Sequence, residues 1–362
     1  MADLIVVGAG IVGASVAYHA AARGGVVTLV DRGRPGSGVT GDSFAWVGGA
    51  GDTPGPAAAL RGASAGDYRR LEAELEEVRV TWSGSLSWGD DWPSHPAGVA
   101  GGAALGPALG PGTVLVDAGA VAALEPNLRA PPPWAVHAPD DGAVDPVAVT
   151  NALVRGARDH GATVRLATAV HGVHVARGRV AGVETSAGVL HAGTVVLATG
   201  VDIARLCAPL GVTVPVAPSP AVLVRCAAPA GLVRTLVSTP AVEVRQGAGG
   251  VLLAAVDYEG ESTPEALART AHRTLGRIAA TFRRADGVRV RGARVGLRPM
   301  PADGAPVIGP APTVPGLYLA VMHAGVALAP TVGRLIAAEL VGGRSADALC
   351  DCRPARFSPG EW

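Results

Sequence analysis

The sequence predicts an α/β protein, in which a parallel, Rossmann-type nucleotide-binding sheet is joined to a second domain built on an antiparallel sheet. Three observations carry this. Near the N-terminus an apolar strand pattern runs into Gly8-x-Gly10-x-x-Gly13 and on into a helical pattern. Residues 215–294 alternate apolar and polar in short runs, as a sheet with one covered face does. Near the C-terminus a second strand, glycine turn and helix follow one another, far from the first such unit.

The first unit reads LIVVGAGIVGASVAYHAAARGGVVTLVD, from Leu4 to Asp31. Leu4–Val7 is the strand, Ile11 to about Arg23 the helix, and Val26–Val30 the next strand. Gly8 permits a tight turn, Gly10 lets the backbone approach a pyrophosphate, and Gly13 lets the helix pack close to the strand. The helix N-terminus presents unpaired N–H groups and partial positive charge to phosphates. Asp31 stands where an acid accepts ribose hydroxyls. The turn Gly8, Ala9, Gly10, Ile11, Val12, Gly13 together with Asp31 is therefore a candidate dinucleotide site.

The segment RGRPGSGVTGDSFAWVGGAGDTPGP then reads as a long loop, of the kind that does work beside a nucleotide. Residues Ala57–Val80 read as an amphipathic helix with Leu60, Tyr68, Leu71 and Leu75 near one face. From Thr81 to about Val144 the chain is turn-rich, which predicts short strands and loops. Trp82, Trp88, Trp92 and Trp134 read there as core anchors. Asp145-Pro146 opens a helix running to about His160, with Gly161 closing it. A strand Thr163–Ala167 follows, then a hairpin of Val170–Val175 and Arg179–Glu184 turning at Arg177-Gly178, and a short strand Val189–His191. His171 and His174 read as surface residues. The strand Thr194–Ala198 returns to the nucleotide sheet and ends at Thr199-Gly200. A charged helix, Thr263–Phe282, interrupts the antiparallel block. Finally, Leu317–Val321 is a strand that ends in Met322-His323-Ala324-Gly325, with a helix from about Ala329 to Leu340.

Length and composition bound the function. The 362 residues suffice for two domains. The 18-residue apolar run Ile5–Ala22 carries three spaced glycines, Tyr18 and His19, which argues against a membrane span. No basic segment precedes it, so a signal peptide is not expected and a cytoplasmic protein is. The formal net charge of zero argues against nucleic acid and acidic membrane surfaces as partners. All 30 basic residues are arginines, which excludes a Schiff-base lysine, a lysine general base and an oxygen-activating lysine. Cys207, Cys226, Cys350 and Cys352 lack zinc spacing, so no metal is expected. Oligomeric state is left open.

Three segments, in order, resemble the flavin-dependent D-amino-acid oxidase superfamily, especially its glycine oxidase and sarcosine oxidase-like branch. They are the glycine motif with Asp31, VDPVAVTNALVRGARDHGATV through VVLATG, and GLRPMPADGAPVIG with GLYLAVMHAGVALAPTVGRLIAAEL. The resemblance covers nearly the whole chain and is weakest in 81–144. It implies a glutathione-reductase-like FAD-binding domain of residues 1–80, 145–214 and 295–362. A discontinuous substrate domain of 81–144 and 215–294 completes the chain, and the site is expected at the interface.

The resemblance also implies roles. Gly8, Gly10 and Gly13 face the FAD pyrophosphate, Asp31 the adenosine ribose, and Arg32 and Val170 the adenine. Thr40, Gly41, Asp42, Ser43 and Phe44 contact the phosphates and the flavin edge, and Ala198, Thr199 and Gly200 close over the nucleotide. His323, Ala324, Gly325, Val326 and Ala327 form a turn against the flavin pyrimidine end, where backbone N–H groups stabilise the negative charge of the reduced ring. Arg298, in Gly-Leu-Arg-Pro, holds a substrate carboxylate with its planar fork. His323 has several roles open to it: touching the flavin, donating to substrate, protonating reduced oxygen, or packing as a neutral ring. Trp46 either lines the pocket or belongs to the core.

Two departures from the family pattern matter. The cysteine that tethers flavin in sarcosine oxidases aligns near Gly296, so FAD is expected to be noncovalent. A substrate-contacting tyrosine of glycine oxidases aligns with Ala241, which implies room for a larger substrate than glycine. The activity implied is oxidation of a small-molecule amine or amino acid at the C–H beside nitrogen, giving an imine. O2 or another acceptor, a quinone or a protein, takes the electrons. An FAD-carrying structural or partner-dependent subunit is the alternative from another class.

Overall fold

The computed structural model describes residues 3–48, 55–89 and 112–357. Its first sheet has six strands in the order Val307–Pro310, Leu317–Val321, Thr194–Leu197, Asp3–Val7, Val26–Val30, Thr163–Arg165, parallel except for the first. Val, Ile and Leu dominate because both faces are covered. Leu4, Val6, Val27 and Leu29 point into one core, shared with the helices Ile11–Ala22, Pro146–Asp159 and Gly325–Leu340. Ile5, Val7 and Val30 point into the other, shared with the small sheet Val170–Ala176, Arg179–Thr185, Gly188–His191 and the helix Ile203–Cys207. The hairpin turns where expected, with Arg177 and Gly178 both left-handed at φ 52° and 75°.

The second sheet has eight strands: Arg289–Pro301, Val216–Ala227, Val251–Asp257, Glu243–Gln246, Leu236–Ser238, Ser85–Ser87, Trp134–Ala138 and Val114–Asp117. It is antiparallel except where Leu236–Ser238 runs parallel to Ser85–Ser87. That pair joins the turn-rich segment to the later block in one sheet. Val222, Val224, Val244, Leu252 and Ala254 pack with Ala271, Ile278 and Phe282 of the helix Pro264–Thr281 and its C-cap. The alternate residues, among them Ala221, Leu223, Glu243 and Ala255, face a cavity between the two sheets. The strand Arg289–Pro301 runs unbroken through residues 294 and 295, so Gly-Leu-Arg-Pro hangs from this second sheet.

Several elements differ from the sequence reading. The helix expected to reach Val80 spans Ala58–Glu74. The Glu72 carboxylate accepts the N–H groups of Val80 and Trp82 Nε1, both at 2.8 Å, and draws the following chain back as the strand Val80–Thr81. The turn-rich segment holds a helix, Ala118–Leu124, started by Asp117, whose Oδ1 accepts from the Ala120 N–H at 2.8 Å. Trp82, Trp88 and Trp134 are only partly buried, Trp82 and Trp88 edge the cores, and Trp92 lies outside the described residues.

The last helix begins at Gly325, not near Ala329, with Pro330 inside it. Proline removes the N–H that Val326 O would receive. The buried Tyr68 hydroxyl donates to that oxygen at 2.6 Å, and Ser64 Oγ donates to Ala327 O at 2.6 Å. Two side chains of a neighbouring helix thus let the first turn form upstream of the proline. No helix among the described residues is long and apolar enough to cross a membrane.

Candidate active site

The glycine turn comes first. Gly8 has φ +105°, donates its N–H to Val30 O at 2.8 Å, and leaves no room for a side chain, since a Cβ would stand 2.5 Å from Ala198 O. A Cβ on Gly13 would stand 1.9 Å from Gly8 O. Gly13 therefore serves helix–strand packing, and it is not among the residues that line the cavity. Ala9 is also withdrawn, because its N–H is given to Asp31 Oδ2 at 2.6 Å. Gly10, Ile11 and Val12 do line the cavity, and no side chain caps Gly10. Asp31 also takes the Gly33 N–H, at 2.6 Å. Its two oxygens pin the turn to the end of the second strand, while each keeps a lone pair for a ligand hydroxyl.

At the same end lie Arg32, Val170, His171, Ala198, Thr199 and Gly200. Arg32 pairs with Asp202 at 3.0 Å. His171 is exposed, as read from sequence, and also borders the cavity because it follows Val170 where the hairpin begins. Thr199 borders the cavity, and its Oγ1 is buried without a hydrogen-bond partner.

The loop after Asp31 forms one wall. Thr40 Oγ1 accepts the Ile11 N–H at 3.2 Å and so sits on the helix N-terminus. Asp42, Ser43, Phe44 and Trp46 follow along the cavity. Gly41 does not line it; its carbonyl accepts from the Arg225 guanidinium instead. Asp42 lies 3.1 Å from Arg294 and 3.6 Å from Arg225, which tie the loop to the second sheet. Burial raises the Asp42 carboxyl above its ordinary range against the pull of both arginines. Arg245 donates to Phe44 O at 2.5 Å and Val144 O at 2.9 Å. The Trp46 ring lies 6.2 Å from that of Phe44, and its Nε1 donates to Asp141 Oδ2 at 2.8 Å. Trp46 is thus a pocket residue.

At the far end, Met322, His323 and Ala324 lead into the last helix. Ala324 is left-handed at φ +59°, and no side chain caps the helix. Because the helix starts at Gly325, residues 325–327 are its first turn and not part of the preceding loop. Their N–H groups belong to a second helix N-terminus on the same cavity. Burial first, then the charges of Arg298 and Arg61, hold His323 below its ordinary imidazole range, so the ring is neutral at pH 7. Arg298 donates from Nε to Ser219 O at 3.2 Å and from Nη2 to Ser219 Oγ at 2.8 Å. Two of its five N–H donors are thereby used and the fork is held in one plane.

One functional candidate escaped the sequence reading. Glu243 lines this end of the cavity with Arg298 and His323. Its signal was the alternation Val242-Glu243-Val244-Arg245, which sends both valines to the core and both charges to the opposite face. Burial pushes the Glu243 carboxyl up to about 7, opposed by Arg298 and reinforced by Asp257. Ala241, in contrast, does not border the cavity. It stands exposed on the turn where Thr239 Oγ1 accepts the N–H groups of Ala241 and Val242, so it does not set substrate size.

The cavity measures about 1000 Å³ and runs from Asp31 and Val170 to Arg298 and Glu243. Two helix N-termini border it, one uncapped at Gly325 and one with Thr40 Oγ1 on its first N–H, as a phosphate-bearing dinucleotide with an anionic ring system requires. Comparison with known proteins agrees. The chain is 27% identical to the glycine oxidase of Bacillus licheniformis over 94% of its length and 93% of that protein's. The crystal structure of glycine oxidase from Geobacillus kaustophilus superposes with a TM-score of 0.87 at 24% identity, covering 99% of this chain and 100% of that one. L-proline dehydrogenase from P. horikoshii superposes with a TM-score of 0.86 at 21% identity, covering 98% and 97%. The model of the DAO family, described as FAD dependent oxidoreductase, matches residues 3–339, and the chain belongs to that family.

Proposed function

We propose that the protein oxidises an amino acid, or a closely related amine, at the C–H bond beside nitrogen. The observation that carries this is Arg298, a guanidinium fixed by Ser219 at the end of the cavity where His323 and the second helix N-terminus also stand. A planar fork on a wall of the second sheet suits a substrate carboxylate. Bound FAD supplies the two-electron acceptor, and water hydrolyses the resulting imine. This chain's residues do the rest. Gly10, Ile11, Val12 and Thr40 hold the pyrophosphate, and Asp31 holds the ribose. Arg298 places the substrate carbon, and Phe44 and Trp46 exclude water. The glycine oxidase named above supports the amino-acid class. Cys207, Cys226, Cys350 and Cys352 all lie away from the cavity, which supports a noncovalent flavin.

The reading has O2 as the electron acceptor. The complete absence of lysine favours a second reading, a dehydrogenase that passes electrons to a quinone or a protein, because no lysine can assist oxygen. One experiment separates them. The purified yellow protein is mixed anaerobically with amino acids and secondary amines, and air is then admitted. Bleaching by one substrate class, followed by recovery with peroxide, supports the oxidase. Bleaching that persists in air supports the dehydrogenase. A flavin that no amine bleaches sinks both and leaves a structural or partner-dependent subunit.

A further inference from the structure

A carboxylate without a partner stands in the part of the cavity assigned to substrate. Glu243 projects from the cavity face of its strand, between Val242 and Val244, which are buried in the core behind it. Among the described residues its carboxylate forms no hydrogen bond and no ion pair. Arg298, close enough for its charge to act on Glu243, is bonded to Ser219 instead. The two groups thus line one space as opposite charges held apart. Such an arrangement is costly unless a ligand completes it.

We propose that Glu243 receives the ammonium group of an amino acid whose carboxylate lies on Arg298, and takes one proton from it. The inference rests on the amino-acid reading above. It adds a second anchor and an acid–base step. In that step an N–H bond breaks, an O–H bond forms on Glu243, and the substrate is left as a neutral amine. The chemistry needs this, since the nitrogen lone pair must be free to become the π bond of the imine. Among the described residues, the charges that act on Glu243 are Arg298 from the edge strand and Asp257 from the adjacent strand, and neutral His323 lines the same cavity. Burial and Asp257 raise the proton affinity of Glu243 to about 7, toward that of an amine, as proton transfer at neutral pH requires.

The test uses the FAD-loaded protein and two ligands that cannot be oxidised beside nitrogen. These are 2-aminoisobutyrate, which has no hydrogen on that carbon, and isobutyrate, the same skeleton without nitrogen. Binding is followed by perturbation of the flavin spectrum and by calorimetry. The wild-type protein is expected to prefer 2-aminoisobutyrate by roughly 10-fold or more, the worth of a charge-assisted hydrogen bond. Glu243→Gln is expected to abolish the preference while keeping or raising isobutyrate affinity, and Glu243→Asp to restore part of it. Arg298→Met is expected to weaken both ligands.

The wild type alone gives a second reading that does not depend on how the variants fold. As pH rises through about 7, affinity should rise for 2-aminoisobutyrate and fall for isobutyrate, because ionised Glu243 attracts one and repels the other. A preference that survives in Glu243→Gln, or pH dependences that run together, overturns the role of Glu243 and leaves the amino-acid reading standing. If neither ligand binds the wild type, the amino-acid reading falls and the proposal falls with it.

Discussion

Gly8 and Gly10 lie two residues apart and answer to different forces. At Gly8 the backbone has φ +105° and a methyl group would strike Ala198 O, so the cost of Gly8→Ala falls on folding itself, roughly 1–3 kcal/mol from the backbone alone. At Gly10, φ is −68° and a methyl group would reach only to 3.4 Å of Thr40 Oγ1. Gly10→Ala should leave the melting temperature of the apoprotein nearly unchanged and weaken FAD binding, by crowding the pyrophosphate. Equal losses of melting temperature in the two variants would refute this division. The motif spacing made both glycines legible in the sequence. Gly13 was legible as a packing residue too, and a Cβ there would meet the Gly8 carbonyl oxygen at 1.9 Å. Glu243 was not legible as a site, because one strand residue among valines looks the same whether it faces solvent or a cavity. Only the partner sheet decides.

Elements were read well where a local signal ends them. Asp145-Pro146 opens its helix with Asp145 Oδ1 accepting the N–H groups of Val147 and Ala148 at 2.9 and 3.0 Å, as the sequence indicated. They were read poorly where a distant residue supplies the end. The last helix was expected from about Ala329 and begins at Gly325, where a hydroxyl 258 residues away accommodates Pro330 inside it. Tyr68→Phe leaves the Val326 carbonyl buried without that donor, and should cost about 1–3 kcal/mol. Chemical denaturation would measure it. The fraying should reach the cavity, because Val326 lies in the turn that borders it, so FAD affinity is expected to fall as well. A variant as stable as wild type would show that the helix start does not depend on this hydroxyl.

The whole molecule is also held by buried carboxylates near the last helix. Asp67 receives Arg334 at 3.0 Å through two nitrogens and Arg70 at 2.7 Å. Glu339 binds Arg353 and Tyr318, tying the C-terminal segment to that helix. Burial works to raise both carboxyls, but the hydrogen bonds from these partners outweigh it and both lie below their ordinary values. The sign follows: the folded state binds these protons more weakly than the unfolded chain. Their stabilisation is complete above the ordinary carboxylate range of about 4 and is lost as pH falls through the lowered values. The melting temperature should therefore drop on acidification below about pH 4. Glu339→Gln should flatten part of that decline, and an unchanged acid limb would assign it elsewhere.

At this scale the two-sheet architecture was legible from periodicity and glycine turns. The parallel pairing of Leu236–Ser238 with Ser85–Ser87 was not, since register between segments 150 residues apart leaves no local trace.

The alternation of the second sheet has a consequence for descent. Its core-facing valines answer to the helix behind them, while Ala221, Leu223, Glu243 and Ala255 border the cavity. None of those four belongs to the glycine turns that grip the nucleotide. A lineage carrying this fold can exchange one cavity-facing residue at a time and acquire a new diet, while inheriting its cofactor intact.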